Sequence, residues 1–451
     1  MNLPEFPAIL LASPKAEHEP WLSEVFVRSN AFEQYASAQS FIIYGLPGSG
    51  KTALRLFLQQ TAPENVLAVP WSPEPIVNPD AGTGTVFAQE TMRQALKVLV
   101  EYMISHGQMA KRLKDAPRWA GTALAWYLQE YLPVDASFYI ESRSTELSPA
   151  EITWYLELLD KPPAKIFKET ASQNDQLRML MSILQQAQYQ YVWWMIDGLE
   201  KWPPQSEKQI TLMIDALLST LAIFEVPQYI FKLFVPASYK EFIKAASGVE
   251  RHRVSESQLD WTQDALSGLL EKRLAVGFSQ PDFKLSQLSE DPDFYAWLKQ
   301  YGGQNPRTWL ALAHPFVDAF QVGQRPLKPE SWQAIAQAHP PLLRLIVERQ
   351  EVQIGESIVS IDSKNEFNIL RYLYFHPEKI CSLEEIYFCA LNGLEQPPRK
   401  MDKEWVHKSV WRPALDTALY RLRKKIEQQP GNPVYLRTHP HKGLELNHTV
   451  V

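Results

Sequence analysis

A glycine-rich loop is the clearest sign of chemistry in this 451-residue chain. The stretch "GLPGSGKT", Gly45–Thr52, fits the spacing G-x-x-x-x-G-K-[ST], and it stands between an apolar run and the helical pattern "TALRLFLQQ". Glycines let such a backbone curl until its N–H groups face phosphate oxygens, and the positive end of the following helix strengthens that field. Lys51 would neutralise the β- and γ-phosphates, and the Thr52 hydroxyl would bind Mg²⁺. The loop predicts a site for ATP and Mg²⁺ built from Gly45, Gly48, Ser49, Gly50, Lys51 and Thr52; the alternative is a chance match in a glycine-containing turn.

A phosphate loop also needs a carboxylate on a neighbouring strand, which holds Mg²⁺ through water. The run "YVWWMIDGLE", which starts at Tyr191, supplies Asp197 after a continuous apolar segment. Ligands of open α/β sheets bind at the carboxyl ends of the strands, which is where Asp197 would lie. Glu200 is then a candidate for polarising the attacking water. The alternative for Glu200 is a solvated loop carboxylate.

Four apolar segments can form the sheet that positions these side chains. They are Ser40–Gly45, Asn65–Trp71, Tyr191–Asp197 and Gln228–Ala237. Helical patterns separate them, which predicts an α/β fold with a parallel sheet, and the uninterrupted apolar runs indicate central strands covered on both faces. Residues 72–190 hold more helical pattern than a minimal phosphate-loop domain needs, so part of this stretch is predicted to be an insertion. Its helical patterns are Phe87–Gly107, Arg118–Tyr131, Pro149–Leu159 and Asn174–Gln190.

The phosphate loop, the Asp-Gly-Leu-Glu stretch at 197–200 and the later helical segments together resemble the additional-strand P-loop ATPases, which include the AAA+ and STAND classes. The resemblance implies that Ser238, which ends "LFVPAS", is the polar sensor-1 residue. The stretch "GGQNPRTW" is similar to the sensor-2 element of origin-recognition initiator ATPases, so Arg307 would reach the γ-phosphate; the alternative is a solvated arginine at a helix start. Arg251 or Arg253 is either an arginine finger toward a neighbouring subunit or a surface charge. Typical AAA+ proteins have Asp-Glu where this chain has Asp-Gly, so slow hydrolysis is expected.

The C-terminal residues carry a different pattern, of strands, three helices and a hairpin. "RLIVERQEVQIGESIVSI" predicts two or three short strands, and "SKNEFNILRYLYFHP" predicts an amphipathic helix. "SLEEIYFCAL" begins with Ser382, a natural N-cap, and has Glu385 in the capping-box position. "HKSVWRPALDTALYRLRKKIEQ" predicts a third helix with a stripe of buried leucines, and "PVYLRT" and "GLEL" predict the hairpin. The stripe consists of Leu415, Leu419 and Leu422.

This segment resembles the OmpR/PhoB-type winged helix of transcriptional regulators, in its "LRKKI" at Leu422–Ile426 and in the hairpin "YLRTHPHKGLEL". The resemblance implies that one set of side chains approaches the major groove of double-stranded DNA: Arg412, Thr417, Tyr420 and Arg421. It implies that a second set contacts phosphates, with Arg437 or His439 near the minor groove: Lys424, Lys425, Arg437 and Lys442. The alternatives are a solvated basic face, or a module that packs on another protein domain.

Charge is distributed unevenly along the chain. The formal net charge of −6 argues against a protein that coats nucleic acid over its whole surface. Between Arg399 and Gly443, however, eleven Lys and Arg residues oppose four Asp and Glu residues, so this segment carries +7 and the remainder about −13. A concentrated basic module of this kind is what a phosphate-seeking face requires.

Cysteine content and hydropathy indicate the compartment. The two cysteines, Cys381 and Cys389, have no partners at metal-ligand spacing, which predicts reduced thiols and not a disulfide framework. The first residues do not form a convincing signal peptide, and no apolar run approaches the length of about eighteen residues that a membrane helix needs. We therefore expect a cytoplasmic protein without a membrane span.

These patterns divide the chain into blocks and lead to one leading hypothesis. The blocks are a P-loop ATPase core at 1–277 with the insertion at about 72–190, a helical lid at 278–324, a linker at 325–344 and a winged helix-turn-helix at 345–451. In the leading hypothesis ATP bridges core and lid through Lys51, Asp197 and Arg307 and so controls DNA binding by the winged helix, as in a nucleotide-gated transcriptional regulator. ATP or ADP and double-stranded DNA are the expected partners, and the sequence leaves open whether a homo-oligomer forms on ATP binding. The alternatives are an initiator- or transposition-type ATPase that loads onto DNA, and a STAND-type defence or signalling scaffold whose winged helix binds protein.

Overall fold

The chain forms two compact units in the computed structural model. The sheet unit is Lys15–Asp260, and the helical unit is Met1–Pro14 together with Trp261–Val451. The predicted core extends to residue 277, whereas the sheet unit ends at Asp260. The first helix after Asp260 therefore belongs to the helical unit. The residues described are 6–7, 11, 16, 21–27, 32–74, 84–160, 172–201, 214, 217–218, 226–245, 254–323, 325–376, 379–398, 411–427, 431 and 433–447.

The sheet unit is built on five parallel strands. These are β1 (Phe41–Gly45), β2 (Val66–Trp71), β3 (Tyr191–Ile196), β4 (Tyr229–Pro236) and β5 (Ser255–Gln258), in the order β2-β3-β4-β1-β5. The predicted α/β class and all four predicted strands are confirmed. Every residue of β4 is buried, including Lys232, which interrupts its apolar run, and so is β3 after its first residue, as the predicted central position of both strands requires. One strand, β4, lies between the strand that enters the phosphate loop and the strand that ends before Asp197.

Helices accompany these strands in the sheet unit. They are α1 (Leu22–Val25), α2 (Phe32–Tyr35), α3 (Lys51–Gln60), α4 (Gly84–His106), α5 (Met109–Arg112), α6 (Arg118–Tyr131), α7 (Ala136–Ser142), α8 (Pro149–Leu159), α9 (Gln173–Gln186) and α10 (Lys240–Ala245), with single 3₁₀ turns at Leu199–Lys201 and Ala237–Tyr239. The bounds of α6 and α8 are the predicted ones. The predicted helix Asn174–Gln190 ends earlier, at Gln186, because Gln188 takes a positive φ of 66° and Gln190 turns into β3.

The two faces of the sheet carry separate cores. On one face Phe41 and Ile43 of β1 join a core that includes Phe57 of α3. On the other face Ile42 and Tyr44 join a larger core that includes the following residues of α4, α6 and α9: Leu96, Leu124 and Leu180. Alternate strand residues point to opposite faces, so both faces of β1 need cover. The helices between β2 and β3, predicted in part as an insertion, therefore contribute much of the cover of one face of the sheet.

After Asp260 the described residues of the helical unit first form five helices. They are α11 (Gln263–Gly277), α12 (Leu285–Leu288), α13 (Pro292–Gly302), α14 (Pro306–Gly323) and α15 (Pro329–Ala338). The predicted Gly-Gly break and Asn-Pro start are confirmed, since Gly303 caps α13 and α14 begins at Pro306. Near the N-terminus Phe6 is buried in the same unit, with its ring centroid 4.8 Å from that of Phe278. The predicted linker contains the regular helix α15, which starts at a proline and buries Trp332.

The C-terminal part of the helical unit has the predicted order of strands, helices and hairpin. Its elements are β6 (Leu343–Ile346), a 3₁₀ turn (Val347–Arg349), β7 (Glu351–Ile354), β8 (Ser357–Ser360), α16 (Lys364–Tyr374), α17 (Leu383–Glu385) with a π-helical turn (Ile386–Leu391), α18 (Trp411–Ile426), β9 (Leu436–His439) and β10 (Gly443–Leu446). All three leucines of the predicted stripe on α18 are buried. The Ser382 hydroxyl accepts from the Glu385 N–H, as predicted, but the Glu385 carboxylate accepts from Tyr372 and Lys379, so it does not complete the capping box. Both cysteines are free thiols and buried.

No helix among the described residues is both long and apolar enough to cross a bilayer.

Candidate nucleotide site and nucleic-acid interface

The glycine-rich loop joins β1 to α3 in the sheet unit. Gly48 and Gly50 have φ of 83° and 90°, a backbone region that residues other than glycine rarely adopt. Gly50 is also the N-cap residue of α3. The Lys51 Nζ donates to the carbonyl oxygens of Gly45 at 2.9 Å and of Leu46 at 3.1 Å. Ser49 is buried within the loop. The loop therefore curls around its own lysine at the N-terminus of a helix, which is the arrangement that favours anions.

Asp197 lies beside the start of α3 although the two are far apart in sequence. Its Oδ2 accepts a hydrogen bond from the Thr52 hydroxyl at 3.0 Å, and its Oδ1 accepts from the Gly198 N–H at 2.9 Å. The backbone N–H of Asp197 donates to Trp71 of β2 at 3.0 Å, which fixes the residue at the carboxyl end of β3. Hydroxyl and carboxylate oxygens are the ligands that Mg²⁺ prefers. The two side chains that the sequence predicts as metal ligands are thus in contact, and their chemistry fits Mg²⁺.

Glu200 and Ser238 follow the carboxyl ends of β3 and β4, which are neighbouring strands. Gly198, with φ of 91°, turns the chain after Asp197 into the 3₁₀ turn that carries Glu200. Both Glu200 and Ser238 are exposed. Burial raises the pKa of Tyr239, and the negative charge of Glu200 raises it further. The predicted sensor-1 and water-polarising positions therefore lie at the same edge of the sheet as the phosphate loop, and their roles stay predictions.

Arg55 is a member of this site that the motif does not contain. Its Nε donates to Asp197 Oδ2 at 3.1 Å, and both side chains are 11% exposed. Arg55 stands four residues after Lys51, so both project from the same side of α3. That spacing was the available signal in the sequence, but it did not identify the carboxylate that the guanidinium meets.

The predicted arginines outside the phosphate loop have different positions. Arg307 belongs to the helical unit, where it is in the first turn of α14 and its N–H donates to Asn305 Oδ1 at 3.1 Å. Its predicted contact with the γ-phosphate stays a prediction. Arg251 and Arg253, the candidate fingers, lie outside the described residues.

The outer face of α18 presents residues that the resemblance assigns to the major groove, together with Lys424, which it assigns to phosphate contacts. Thr417, Tyr420, Arg421 and Lys424 are exposed, and Tyr420 has 56% of its surface accessible. The Lys424 Nζ lies 4.9 Å from the centroid of the Tyr420 ring, a cation–π contact that leaves the charge at the surface. Arg412 is exposed as well, but it forms an ion pair with Asp416 at 3.1 Å, one turn along the helix. The uncompensated charge of this face is therefore concentrated at its C-terminal half.

The hairpin and the end of α18 contain the remaining candidates. Arg437 and Lys442 are exposed on the hairpin. The His439 Nε2 lies 2.6 Å from Glu445 Oε2 across the hairpin. The Lys425 Nζ forms an ion pair with the buried Glu366 at 3.1 Å, so its charge faces α16. The described residues include no group of three or more His, Cys, Asp or Glu side chains that can hold a metal ion.

A buried carboxylate that sequence reasoning missed joins the hairpin to α18. The carboxylate of Glu427, directly after α18, accepts hydrogen bonds from the backbone N–H groups of Val434, Tyr435 and Leu436 at 2.7, 3.0 and 2.7 Å. Arg423 adds hydrogen bonds to the Leu436 carbonyl and to the Thr438 hydroxyl at 3.0 and 2.6 Å. The helix and the hairpin are therefore fixed to each other by charged hydrogen bonds. Arg423, one of the basic residues of "LRKKI", is thus hydrogen-bonded to the hairpin.

Comparison with known proteins gives few matches. No protein-family model and no curated protein sequence matches this chain. Solved structures that are similar at low scores include two from Aeropyrum pernix. The Aeropyrum pernix ORC2 protein in ADPNP–ADP complexes has 14% identity and a TM-score of 0.35, over 99% of this chain and 91% of that chain. The Aeropyrum pernix ORC1 protein in complex with DNA has 13% identity and a TM-score of 0.34, over 98% of this chain and 93% of that chain. Scores this low establish neither a family nor a function.

Proposed function

We propose that this chain is an ATP-binding P-loop switch whose nucleotide state controls DNA binding by its C-terminal helices and hairpin. The observation that carries the nucleotide half is the contact between the Thr52 hydroxyl and Asp197 at the mouth of a curled glycine-rich loop. Proteins that bind nucleoside triphosphates with Mg²⁺ have a hydroxyl directly after the loop lysine, close to a carboxylate at the end of a strand.

The order of the strands supports the same class. In the sheet unit β4 separates the strand of the phosphate loop from the strand of Asp197. An extra strand at this place is what the resemblance to additional-strand P-loop ATPases implies. The AAA+ and STAND classes both belong to that group, and the sheet does not choose between them.

Each residue of the site has a proposed role. The loop N–H groups and Lys51 bind the phosphates, while Thr52 and Asp197 hold Mg²⁺. When bound, Mg²⁺ neutralises phosphate charge and orients the phosphates for attack. Glu200 polarises the attacking water from the end of β3. Gly198 turns the chain directly after Asp197, where typical AAA+ proteins have a glutamate. We therefore propose that hydrolysis is slow and that the ATP-bound state is long-lived.

The DNA half rests on the exposed basic face of the C-terminal module. Arg421 and Lys424 on α18, and Arg437 and Lys442 on the hairpin, are exposed in a segment of net charge +7. Helix and hairpin are held together by Glu427 and Arg423, so the two sets of charges form one rigid surface. Such a surface can place a helix in the major groove and a wing beside it.

Lys51→Ala tests the proposal. The variant is expected to bind ATP at least about tenfold more weakly, since a charge-assisted contact contributes more than ~1.4 kcal/mol. Isothermal titration calorimetry with ATP and Mg²⁺ measures this, with Lys244→Ala as control, because Lys244 pairs only with Glu241 at the surface of the same unit in the contacts described. Duplex-DNA affinity is then measured with and without ATP. Wild type should respond to ATP and Lys51→Ala should not; equal DNA affinity in all four conditions would remove the switch.

Among DNA-acting roles we propose a nucleotide-gated transcriptional regulator, because the C-terminal module is the part that resembles the OmpR/PhoB type. An initiator-type ATPase shares these parts but assembles on DNA. Sedimentation of the chain with DNA, with and without an ATP analogue, separates the two roles. A single bound copy in both conditions supports the regulator, and oligomers that need the analogue support the initiator.

A further inference from the structure

The ion pair between Arg55 and Asp197 is not part of the phosphate-loop motif. The Arg55 Nε donates to Asp197 Oδ2 at 3.1 Å, and the two side chains are nearly enclosed, at 11% exposure each. The rest of the guanidinium is held as well: its Nη1 lies 3.4 Å from Gln59 Oε1, and Gln59 donates to the Tyr102 hydroxyl at 3.0 Å. A chain of contacts from α4 therefore fixes the guanidinium beside the carboxylate.

The same carboxylate oxygen serves two donors. Asp197 Oδ2 accepts from both Thr52 and Arg55, while Oδ1 accepts from Gly198. Thr52 and Asp197 are the residues that fit Mg²⁺, so the guanidinium is bonded directly to the group that would share the metal's charge. Arginine stays protonated in proteins, so this positive charge is permanent. In a partly enclosed site the charge interactions are screened less than in water.

We propose that Arg55 is a built-in counter-ion of Asp197 that makes nucleotide binding less dependent on Mg²⁺. This inference rests on the proposed nucleotide site. In the absence of a divalent ion the Asp197 carboxylate would repel the phosphates, and Arg55 cancels that repulsion. In the presence of a divalent ion the guanidinium opposes the second positive charge beside Thr52 and Asp197. Both effects bring the affinity for ATP without Mg²⁺ closer to the affinity with Mg²⁺. Arg55 acts through Asp197 without contacting the nucleotide.

The test measures the dissociation constant for ATP of the full chain in two buffers. The quantity compared is the dissociation constant in excess EDTA divided by the dissociation constant in excess MgCl₂. Calorimetric titration gives both. In Arg55→Gln, which keeps a polar side chain and removes the charge, ATP binding should weaken in EDTA and stay equal or tighten with Mg²⁺. The ratio should rise at least about tenfold, as expected for an enclosed charge at hydrogen-bond distance. Arg55→Lys keeps the charge and should stay near the wild-type ratio.

The matched control is Arg143→Gln, which removes a charge from the same unit at an ion pair with Glu146 on the surface. It should leave the ratio unchanged. A merely structural ion pair would lower the stability of Arg55→Gln but would not move the ratio, so an unchanged ratio in that variant overturns the inference.

The wild type provides a second measurement that needs no variant to fold. It should bind ATP in EDTA within about tenfold of its affinity with Mg²⁺, a difference of about 1.4 kcal/mol. Tight binding with Mg²⁺ and none in EDTA would contradict the role of Arg55 while leaving the nucleotide site in place. Absence of ATP binding in both buffers would instead remove the proposed function itself.

Discussion

At the scale of single residues, the least expected side chain is a lysine in the middle of the central strand. Lys232 of β4 is fully buried. Its Nζ donates to the carbonyl oxygens of Ser37 and Gln39 at 2.7 and 2.6 Å, and it lies 5.0 Å from the Trp193 ring centroid. Burial lowers the pKa of Lys232 from its ordinary value of 10.5 to about 7. Lys232 thus ties the turn before β1 to β4 through hydrogen bonds that do not need the charged form.

This buried lysine makes stability depend on pH in a definite direction. The unfolded chain keeps the Lys232 proton up to about pH 10.5, while the folded chain releases it near pH 7. Between these values the unfolded state binds more protons, so the free energy of unfolding rises with pH, by up to ~1.4 kcal/mol per unit. Urea denaturation at pH 7 and pH 9 should show this rise in wild type and in the surface variant Lys244→Met. Lys232→Met should lose it, and an equal rise in all three proteins would contradict the assignment.

The residues of the nucleotide site divide into those that the sequence predicts and those that it does not. The loop glycines, Lys51 and Thr52 are predictable because the local backbone sets their geometry within eight residues. The contact of Arg55 with Asp197 joins residues 142 positions apart, and it depends on how α3 crosses the end of β3. Lys232 was visible as one charge in an apolar run, but the carbonyl groups that accept from it come from a turn distant in sequence.

At the scale of elements, the turn between β7 and β8 is joined to α13 and α14. The Glu356 N–H donates to the Tyr301 carbonyl at 2.8 Å, and the Thr308 hydroxyl donates to Glu356 Oε1 at 2.8 Å. Ser357 adds a hydrogen bond from its hydroxyl to the Gln300 carbonyl, also at 2.8 Å. Thr308 directly follows Arg307, the predicted sensor of the γ-phosphate. The first turn of α14 is therefore bonded to the strands that precede the three C-terminal helices.

Thr308→Val tests how much this junction contributes. The variant keeps the shape of the side chain and removes its hydrogen bond to a half-buried carboxylate, which should cost about 1–2 kcal/mol. Hydrogen exchange should then speed up about 5- to 30-fold in the backbone amides of the junction, at 301–309 and 355–357. The control is Thr417→Val, because the Thr417 hydroxyl bonds only the Pro413 carbonyl of its own helix in the contacts described and is exposed. Unchanged exchange at the junction in Thr308→Val would show that the hydrogen bond contributes little.

Periodicity predicts the elements well where one face is buried, and it fails where tertiary contacts decide. The bounds of α6 and α8 follow from apolar spacing and from the Ser148 capping box that starts α8. Residues 386–391 read as ordinary helix in sequence, but they form a π-helical turn. The predicted linker became α15 because Trp332 finds a place in the core and donates to Asp291 at 2.8 Å. Proline spacing alone could not reveal that partner.

At the scale of the whole molecule, charge and chemistry are separated along the chain. The glycine-rich loop and Asp197 belong to the sheet unit, while the basic segment Arg399–Gly443 belongs to the helical unit. The remainder of the chain carries about −13, which would repel a polyanion from most of the surface. DNA should therefore bind through the C-terminal module alone.

A pair of charge reversals tests that expectation. Arg421→Glu changes the exposed face of α18, while Lys328→Glu makes the same change of charge on an exposed residue outside the basic segment. Titration of duplex DNA at several salt concentrations should give a log–log slope of about −0.9 for each neutralised phosphate. Arg421→Glu should weaken binding at least about tenfold and reduce the steepness of that slope by roughly one unit, since one phosphate contact is lost. Lys328→Glu should change either quantity little. Equal weakening in both variants would mean that net charge and not the face of α18 governs binding, and a flat salt dependence in wild type would exclude a phosphate-binding surface.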